Sequence, residues 1–193
     1  QTALRGEIGS FARLTVERDG TPPVKLSLKR ERILLPTVKL VRKNGILQAT
    51  VTSFNNETAR QLATRIQSAL TDVPAPATGM ILDLRSNSGG VMTQAVMLAD
   101  LFLVSGKILS TRGRHPSSRH EYVARGNDIL KSLPLVVLIN GKSASASEIV
   151  AAALQDQQRA IVVGTASFGK GSVQSVSRLP NDGELTLTWS RFV

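Results

Sequence analysis

Alternating hydrophobic and polar positions open the chain and predict a two-stranded β ribbon. Residues 11–17 alternate, Asp19-Gly20 is a hairpin turn signal, and residues 24–28 alternate again. A two-stranded ribbon is only marginally stable by itself in water. We therefore interpret residues 1–30 as the remnant of a small β module or as an added ribbon. A basic linker that contains Pro36 is predicted to follow over residues 31–43.

The next part of the chain carries the periodicity of a strand followed by an amphipathic helix. Asn44-Gly45 is a second turn signal, residues 46–53 read as a strand, and Asn56 occupies the position of a helix N-cap. The apolar face of the predicted helix consists of Ala59, Leu62, Ala63, Ile66, Ala69 and Leu70. Two prolines within residues 72–79 then indicate a loop.

Beyond this loop the pattern changes to short, continuous apolar strands that alternate with helices. The predicted strands cover residues 80–84, 135–139, 160–163 and 185–193, and the predicted helices cover residues 92–102 and 146–157. Continuous apolar strands between helices are typical of a sheet that is covered on both faces. The sequence therefore predicts an α/β fold with a β ribbon at its N-terminal end.

Composition limits the chemistry that this fold can carry. Of 193 residues, 41% are hydrophobic and 20% are charged, which is enough apolar material for a packed core and excludes disorder as the main state. The absence of Cys excludes disulfides, thiolate zinc sites and Cys nucleophiles. Two His argue against a multi-histidine metal site, and no apolar run approaches the roughly 18 residues of a transmembrane helix. We expect no metal site.

The net charge of +10 raises the question of a polyanionic partner. The sequence shows no basic stripe at helical spacing, no aromatic residues interleaved with Arg or Lys, and no nucleic-acid motif. We interpret the charge as a solvated basic surface and expect no nucleic-acid binding.

Three junctions between elements are rich in small residues, and the first of them spans residues 83–90. The paired glycines Gly89 and Gly90 allow backbone N–H groups to face an anion at the start of the following helix. They equally suit a tight turn that requires a positive φ angle. The residues alone leave both interpretations open.

The second junction spans residues 140–149 and contains three serines. Ser145 in a strand-to-helix turn would present its hydroxyl at the sheet edge, with helix N–H groups available for an oxyanion. Alternatively, Ser145 and Glu148 have the spacing of a capping box, so Ser145 could be an N-cap alone. Ser143 and Ser147 compete with Ser145 for a nucleophilic role.

The third junction, residues 168–174, contains Lys170 between two glycines. A lysine that acts as a base near neutral pH needs a lowered pKa, which desolvation provides. The flanking glycines would let the backbone pack closely and direct the side chain inward. The alternative interpretation is an exposed loop lysine or a phosphate contact.

Other partners for a serine nucleophile are weaker. His115 and His120 lie in the basic segment 112–125, which we interpret as a loop with solvated histidines. Asp156 follows Ser145 by 11 residues, which a continuous helix converts into a separation of about 16 Å. We therefore interpret Asp156 as a structural acid.

Taken together, residues 81–90, 143–149 and 163–174 resemble the carboxyl-terminal processing peptidases, also called tail-specific proteases, in order, spacing and intervening sequence. These are serine peptidases with a Ser-Lys dyad. The resemblance covers most of residues 30–190 and implies a crotonase/Clp-protease-like core over residues 44–193, incomplete at its C-terminus. Residues 1–30 resemble the C-terminal half of the PDZ module that precedes this core.

The resemblance implies a role for each matching residue. Ser145 would be the nucleophile, Lys170 the general base, and Gln174 the residue that orients the lysine amine. The N–H groups of Ala146 and Gly90 would form the oxyanion hole, with Gly89 as the neighbouring alternative. Ser88 departs from the family pattern, which has proline at this position.

The activity implied by the resemblance is a serine endopeptidase that recognises accessible apolar C-terminal tails of polypeptides and cleaves through an acyl-enzyme. This peptidase chemistry needs neither a metal nor an organic cofactor. A bacterial periplasm or cell envelope would be its location, and a homo-oligomer or an adaptor protein its further partners. Two alternatives remain: a non-catalytic peptide-binding scaffold of the same fold, and an acyl-CoA enzyme on a related α/β architecture.

Overall fold

The computed structural model describes residues 4–31, 35–71, 76–180 and 183–193. The chain divides into two compact units, Gln1–Leu35 and Pro36–Val193. In the first unit, strands β1 (Phe11–Arg18) and β2 (Thr21–Lys29) form an antiparallel hairpin, which confirms the predicted ribbon. Strand β2 is exposed along its whole length. The assignment of this hairpin to a PDZ module stays a prediction.

The second unit contains two sheets and three helices. Its elements are β3 (Val38–Lys43), β4 (Ile46–Val51), α1 (Thr58–Thr71), β5 (Gly79–Asp83), α2 (Met92–Asp100), β6 (Lys107–Arg112), β7 (His120–Val123), β8 (Leu135–Ile139), α3 (Ala146–Asp156), β9 (Ile161–Gly164), β10 (Ser172–Arg178) and β11 (Glu184–Phe192). This alternation of strands and helices confirms the α/β fold class.

The larger sheet has the strand order β3-β4-β5-β8-β9. Strands β4, β5, β8 and β9 run parallel, and β3 is an antiparallel edge strand. Apolar strand residues such as Leu47, Leu82 and Val137 are fully buried, as are Leu62 of α1 and Leu154 of α3. Because the strands are parallel, their carboxyl ends meet at one edge, where the loops after β5, β8 and β9 bring the three small-residue junctions together.

The smaller sheet is antiparallel and has the order β10-β11-β6-β7. Strand β7 lies within residues 112–125, where a loop was predicted. Residues on β6 and β11 pair over a short stretch, with Arg112 opposite Arg191 and Thr111 opposite Phe192. The Phe192 N–H donates to the Gly171 carbonyl at 3.0 Å, which joins this sheet to the loop that carries Lys170.

Two predictions about local structure are wrong. The linker predicted over residues 31–43 contains strand β3, which pairs with β4 through a turn at Asn44 (φ 51°) and Gly45 (φ 78°). Positive φ at both central residues is the geometry of a tight hairpin, so the Asn-Gly signal has a strand on each side.

The cap of α1 is formed by Asn55 and not Asn56, because the Asn55 side-chain oxygen accepts from the Glu57 N–H at 3.0 Å.

Within the described ranges, none of the helices is both long and apolar enough to cross a bilayer.

Candidate active site

Ser145 lies at the turn between β8 and α3 in a strained backbone conformation. Its φ of 55° and ψ of −112° fall in a region that residues with a side chain rarely occupy. Such a conformation costs on the order of 1–3 kcal/mol and persists only where the surrounding structure enforces it. The side chain of Ser145 is half-buried, at the N-terminus of α3. Strain of this kind at an accessible hydroxyl is typical of functional turns.

The hydroxyl groups of the neighbouring serines are committed to structural hydrogen bonds. Ser143 Oγ donates to the Leu84 carbonyl at 2.8 Å, and Ser147 Oγ donates to the Asn87 carbonyl at 2.9 Å. Both serines are fully buried. The geometry therefore favours Ser145 over Ser143 and Ser147 as the serine that a substrate could reach.

Ser145 and Glu148 stand in the arrangement of a capping box, as their spacing predicts. The glutamate half is formed, since the Glu148 carboxylate accepts from the Ser145 N–H at 2.6 Å. In the serine half, the Ser145 side chain is placed as in a capping box, but the hydrogen bond of the Glu148 N–H goes to the Ser145 carbonyl at 2.9 Å. The hydroxyl is therefore not consumed by helix capping.

The glycine turn after β5 packs directly against the Ser145 turn. A Cβ atom on Gly89 would lie 2.8 Å from the Ala144 carbonyl oxygen and 2.9 Å from Ser145 Cβ, and Gly89 has a φ of +102°. Gly89 is therefore fixed as glycine both by its conformation and by this close approach. The positive φ that one of the two interpretations of this turn requires is present.

Gly89 and Gly90 differ in whether their N–H group is available. The Gly89 N–H donates to the Asn87 side-chain oxygen at 2.8 Å and is buried. Gly90 forms a bridge with Phe54, but within the part of the chain that is described its N–H has no hydrogen-bond acceptor. The same holds for the Ala146 N–H at the start of α3. Two backbone donors beside Ser145 are thus free to bind an anion.

Asn87 joins the two turns, a role that the sequence pattern did not reveal. Its side-chain nitrogen donates to the Val51 carbonyl at 2.8 Å, and its carbonyl accepts from the Ala144 N–H at 3.0 Å. Asn87 is fully buried, and its side-chain oxygen and its carbonyl also accept from the Gly89 N–H and the Ser147 hydroxyl. An Asn two positions before paired glycines is an ordinary turn signal, and no hydrophobic periodicity marks this Asn as buried.

The Glu148 carboxylate joins the loop of Lys170 to the Ser145 turn. Oε1 accepts from the Ser167 hydroxyl at 2.7 Å and from the Gly169 N–H at 2.6 Å, while Oε2 accepts from the Lys170 N–H at 3.1 Å. Together with the bond from the Ser145 N–H, four donors converge on one carboxylate. The sequence predicted Glu148 only as a capping residue, and its contacts across 19 to 22 positions carry no local signal.

These hydrogen bonds set the ionisation of Glu148. Partial burial of the carboxyl acts to raise its pKa, but the Ser167 hydroxyl and the N–H groups of Ser145, Gly169 and Lys170 outweigh this and hold the pKa below its usual value. Glu148 is therefore an anion at neutral pH. Its charge is stabilised by uncharged hydrogen-bond donors, and among the described residues no cation forms an ion pair with it.

The side chains of Lys170 and Gln174 are exposed. Gly169 (φ 79°) and Gly171 (φ 55°) flank Lys170, and both glycines face open space. Gln174 lies on β10 opposite Thr188. Across the residues that the structure describes, no hydrogen bond links the Lys170 ammonium to Ser145 or Gln174. The expected desolvation of Lys170 is absent, although the backbone of Lys170 is held beside the Ser145 turn.

The other residues considered as partners of Ser145 form no hydrogen bond with it in the described part of the chain. Helix α3 is continuous to Asp156, which is the condition under which the rise of the helix separates Asp156 from Ser145 by about 16 Å. His115 and His120 are both exposed. Elsewhere in the described ranges, His, Asp and Glu side chains do not gather into a group of three that could hold a metal ion.

Comparison with known proteins places this arrangement in context. The model of peptidase family S41 matches residues 45–193. A carboxy-terminal-processing protease of Bartonella bacilliformis is 41% identical over 187 residues, covering 96% of this chain and 43% of that protein. The carboxy-terminal processing protease CtpA of Bacillus subtilis is 34% identical over 192 residues, covering 98% of this chain and 40% of that protein.

Among solved structures, the photosystem II D1 C-terminal processing protease matches with a TM-score of 0.70 and 26% identity. That match covers 97% of this chain and 51% of the neighbour. The chain thus spans less than half the length of the two curated relatives.

Proposed function

The chain belongs to peptidase family S41, and we propose that it carries the catalytic pair Ser145 and Lys170 of a serine endopeptidase that processes polypeptides. The observation that carries this proposal is the strained turn of Ser145 with two unpaired N–H groups beside it, those of Ala146 and Gly90. Donors fixed in place before the reaction stabilise negative charge without reorganisation in the transition state.

The proposed reaction proceeds in two balanced halves. The neutral amine of Lys170 takes the proton from Ser145 Oγ as that oxygen attacks the scissile carbonyl carbon. The N–H groups of Ala146 and Gly90 bind the resulting oxyanion. The C–N bond then breaks, the leaving amine receives the proton from Lys170, and an ester to Ser145 remains. Water, deprotonated by Lys170, then attacks the ester carbon. The bond from that carbon to Ser145 Oγ breaks, the serine oxygen takes the proton back from Lys170, and the carboxylic acid product leaves.

Lys170 must be neutral and close to Ser145 for this step, and its exposed side chain is neither desolvated nor paired with Ser145. Its backbone is already positioned by Glu148, and the flanking glycines leave the side chain room to rotate. We propose that a bound polypeptide covers the loop, removes water from the amine and brings Gln174 into contact with it. Desolvation lowers the pKa of a lysine, so substrate binding itself would activate the base.

The substrate class follows from the same proposal. Both curated relatives are named for carboxy-terminal processing, and we propose that this chain acts on proteins with accessible apolar C-terminal tails. The hairpin β1–β2 would belong to a PDZ module that takes part in tail recognition. A bacterial periplasmic or envelope location, and assembly with a second copy or an adaptor protein, are further parts of the proposal.

The decisive test combines a substrate and a covalent probe. The chain is incubated with an unfolded protein that ends in apolar residues, and fragments are followed by mass spectrometry beside Ser145→Ala and Lys170→Ala. Lys142→Ala is the matched control, since Lys142 is an exposed lysine in the same segment as Ser145. Fragments from the wild type and the control alone are expected. Fragments that survive Lys170→Ala would show that another group is the base.

A fluorophosphonate probe tests the nucleophile without a peptide substrate. A single covalent adduct on Ser145, absent from Ser145→Ala, is the expected result. Labelling of Ser143 or Ser147 would overturn the assignment.

The exposed Lys170 favours one alternative, a peptide-binding scaffold with an idle site. That reading predicts no fragments from the wild type, no probe adduct, and peptide binding that is equal in the wild type and Ser145→Ala.

A further inference from the structure

A basic cavity of about 660 Å³ lies where strand β6 and the segment after it meet β11. Its charged lining residues are Arg112, Arg114 and Arg191, and the lining contains no Asp or Glu. All three arginines are exposed. In the described part of the chain, none of the three forms an ion pair with a carboxylate. The cavity therefore concentrates positive charge that the protein itself does not neutralise.

The register of the sheet makes this charge costly in the absence of an anion. Arg112 on β6 lies directly opposite Arg191 on β11. Like charges at directly opposite positions of two strands destabilise the pair. A bound anion would convert this repulsion into a site where planar guanidinium groups bind carboxylate or phosphate oxygens through two hydrogen bonds each.

An aromatic surface completes the cavity. The register of β10 and β11 shifts so that Val173 faces Ser190 and Gln174 faces Thr188, which leaves Trp189 as the extra residue of a β-bulge. Bulges redirect side chains and occur next to active sites. The Trp189 ring lies 5.6 Å from the ring of His115, measured between centroids, and both residues line the cavity. The cavity thus offers an apolar surface beside its positive charge.

The cavity is adjacent to the loop of the proposed general base. Arg191 lies opposite Ser172, two positions after Lys170, and Arg112 follows on the next strand. With neighbouring strands about 4.8 Å apart, Arg112 lies about 10 Å from Ser172 across the sheet. A polypeptide that reaches the Lys170 loop could therefore extend over both arginines.

We propose that this cavity binds an acidic segment of the polypeptide substrate, with Asp or Glu carboxylates on Arg112 and Arg191 and an apolar side chain against Trp189. The identity of the occupant as a substrate segment rests on the proposed peptidase function. A polypeptide fits better than a nucleic acid because the cavity presents one indole surface, whereas single strands bind through several aromatic side chains along a continuous basic groove.

Trp189 supplies the probe for the test because it is the only tryptophan in the sequence. The chain with Ser145→Ala is titrated at low salt with an end-capped hexapeptide of alternating Glu and Leu, and Trp189 emission is recorded. A matched peptide with Gln in place of Glu is the ligand control. We expect a saturable change with the Glu peptide, binding at least about tenfold weaker for the Gln peptide, and weakening with added salt.

Protein variants locate the binding. Arg112→Gln and Arg191→Gln are each expected to weaken binding of the Glu peptide about tenfold, since each removes a charge-assisted contact. Arg65→Gln, an equal loss of charge at an exposed position of α1, is expected to leave binding unchanged. At low salt and without peptide, Arg191→Gln should unfold at a higher temperature than its parent, because the opposed charges are gone. This last result also shows that the variant folds.

Three outcomes would overturn the inference: equal affinity for the Gln peptide, an equal loss of affinity in Arg65→Gln, or tighter binding of inorganic phosphate or a single-stranded oligonucleotide than of the Glu peptide. Peptide binding is measured without turnover, so its failure is separate from a failure of catalysis. Binding at this cavity in a protein that cleaves nothing would keep the site and refute the peptidase proposal.

Discussion

Replacement of Glu148 by Gln tests whether one carboxylate holds the lysine loop against the serine turn. The carboxylate accepts four hydrogen bonds, two on each oxygen. Glutamine is close in size and shape but keeps only one accepting oxygen, and its NH₂ group would face N–H donors. If the NH₂ group faces Ser145 and Lys170, both of these N–H groups lose their acceptor. If it faces Ser167 and Gly169, the Gly169 N–H loses its acceptor, whereas the Ser167 hydroxyl can rotate to accept from the amide.

The size of the effect follows from that count. A hydrogen bond to a charged group contributes about 1.5–3 kcal/mol, and the half-buried position of Glu148 favours the lower end. The loss of one or two of the bonds to the loop therefore weakens its attachment by about 1.5–3 kcal/mol, or roughly 10- to 100-fold in its opening equilibrium. Because the loop can detach while the sheets stay folded, the loss should be local, and the overall unfolding temperature should change little.

Hydrogen exchange followed by mass spectrometry measures this directly. Glu148→Gln is expected to speed exchange of the amides of residues 165–171 by about 10- to 100-fold and to lower kcat/KM for peptide cleavage. Glu121→Gln is the matched control, since Glu121 is an exposed glutamate whose partner is Lys107. Unchanged exchange of the Gly169 and Lys170 amides in Glu148→Gln would refute the argument that the carboxylate holds the loop.

Three further predictions concern the same turns. Ser145→Gly should raise the free energy of unfolding by about 1 kcal/mol, because glycine adopts the positive φ without strain. It should also abolish cleavage, because the hydroxyl is gone. A lower unfolding temperature in this variant would argue against strain at Ser145. Gly20→Ala should lower the free energy of unfolding by about 1–2 kcal/mol, because alanine is strained at a positive φ. Gly89→Ala should lower it further, since only at Gly89 would the added methyl group also meet backbone atoms; an equal loss in the two variants would contradict this. Because the pKa of Glu148 is lowered in the folded state, this carboxylate stabilises the fold above about pH 4.3, and the stabilisation is lost as the pH falls through the folded pKa. In acid unfolding, the free energy of unfolding should therefore depend less on pH in Glu148→Gln than in the wild type.

The elements of the larger sheet could be predicted because their signals are local. A buried parallel strand is a short apolar run, and helix α1 repeats its apolar residues at helical spacing. Strands β6, β7 and β10 were not predicted. The burial of β10 and β7 is slight, so their residues follow no hydrophobic alternation, and their pairing depends on partners distant in the sequence. β3 was missed for a different reason, because its Lys and Arg residues suggested a linker.

The residues of the candidate site also divide into those with a local sequence signal and those without one. Ser145 and the paired glycines stand in local motifs, so the sequence marked them as candidates, although the choice of Ser145 over Ser143 and Ser147 came from the family resemblance. The part played by Glu148 could not be predicted, because its spacing to Ser145 already had a sufficient local explanation as a capping box. Its other donors belong to Ser167, Gly169 and Lys170, about twenty positions away, and no periodicity connects them. A local motif thus concealed a tertiary contact made by the same side chain.

Asn87 and Glu148 hold different parts of the candidate site in place. Asn87 fixes the glycine turn against the serine turn, which sets the two free N–H groups before any substrate arrives. Glu148 fixes the backbone of Lys170 but leaves its side chain in solvent. Under the proposed mechanism, oxyanion stabilisation is therefore built into the fold, whereas the base is completed by the substrate that desolvates it. Such a division would make peptide cleavage depend on a polypeptide that occupies the site, which suits an endopeptidase that must spare folded proteins around it.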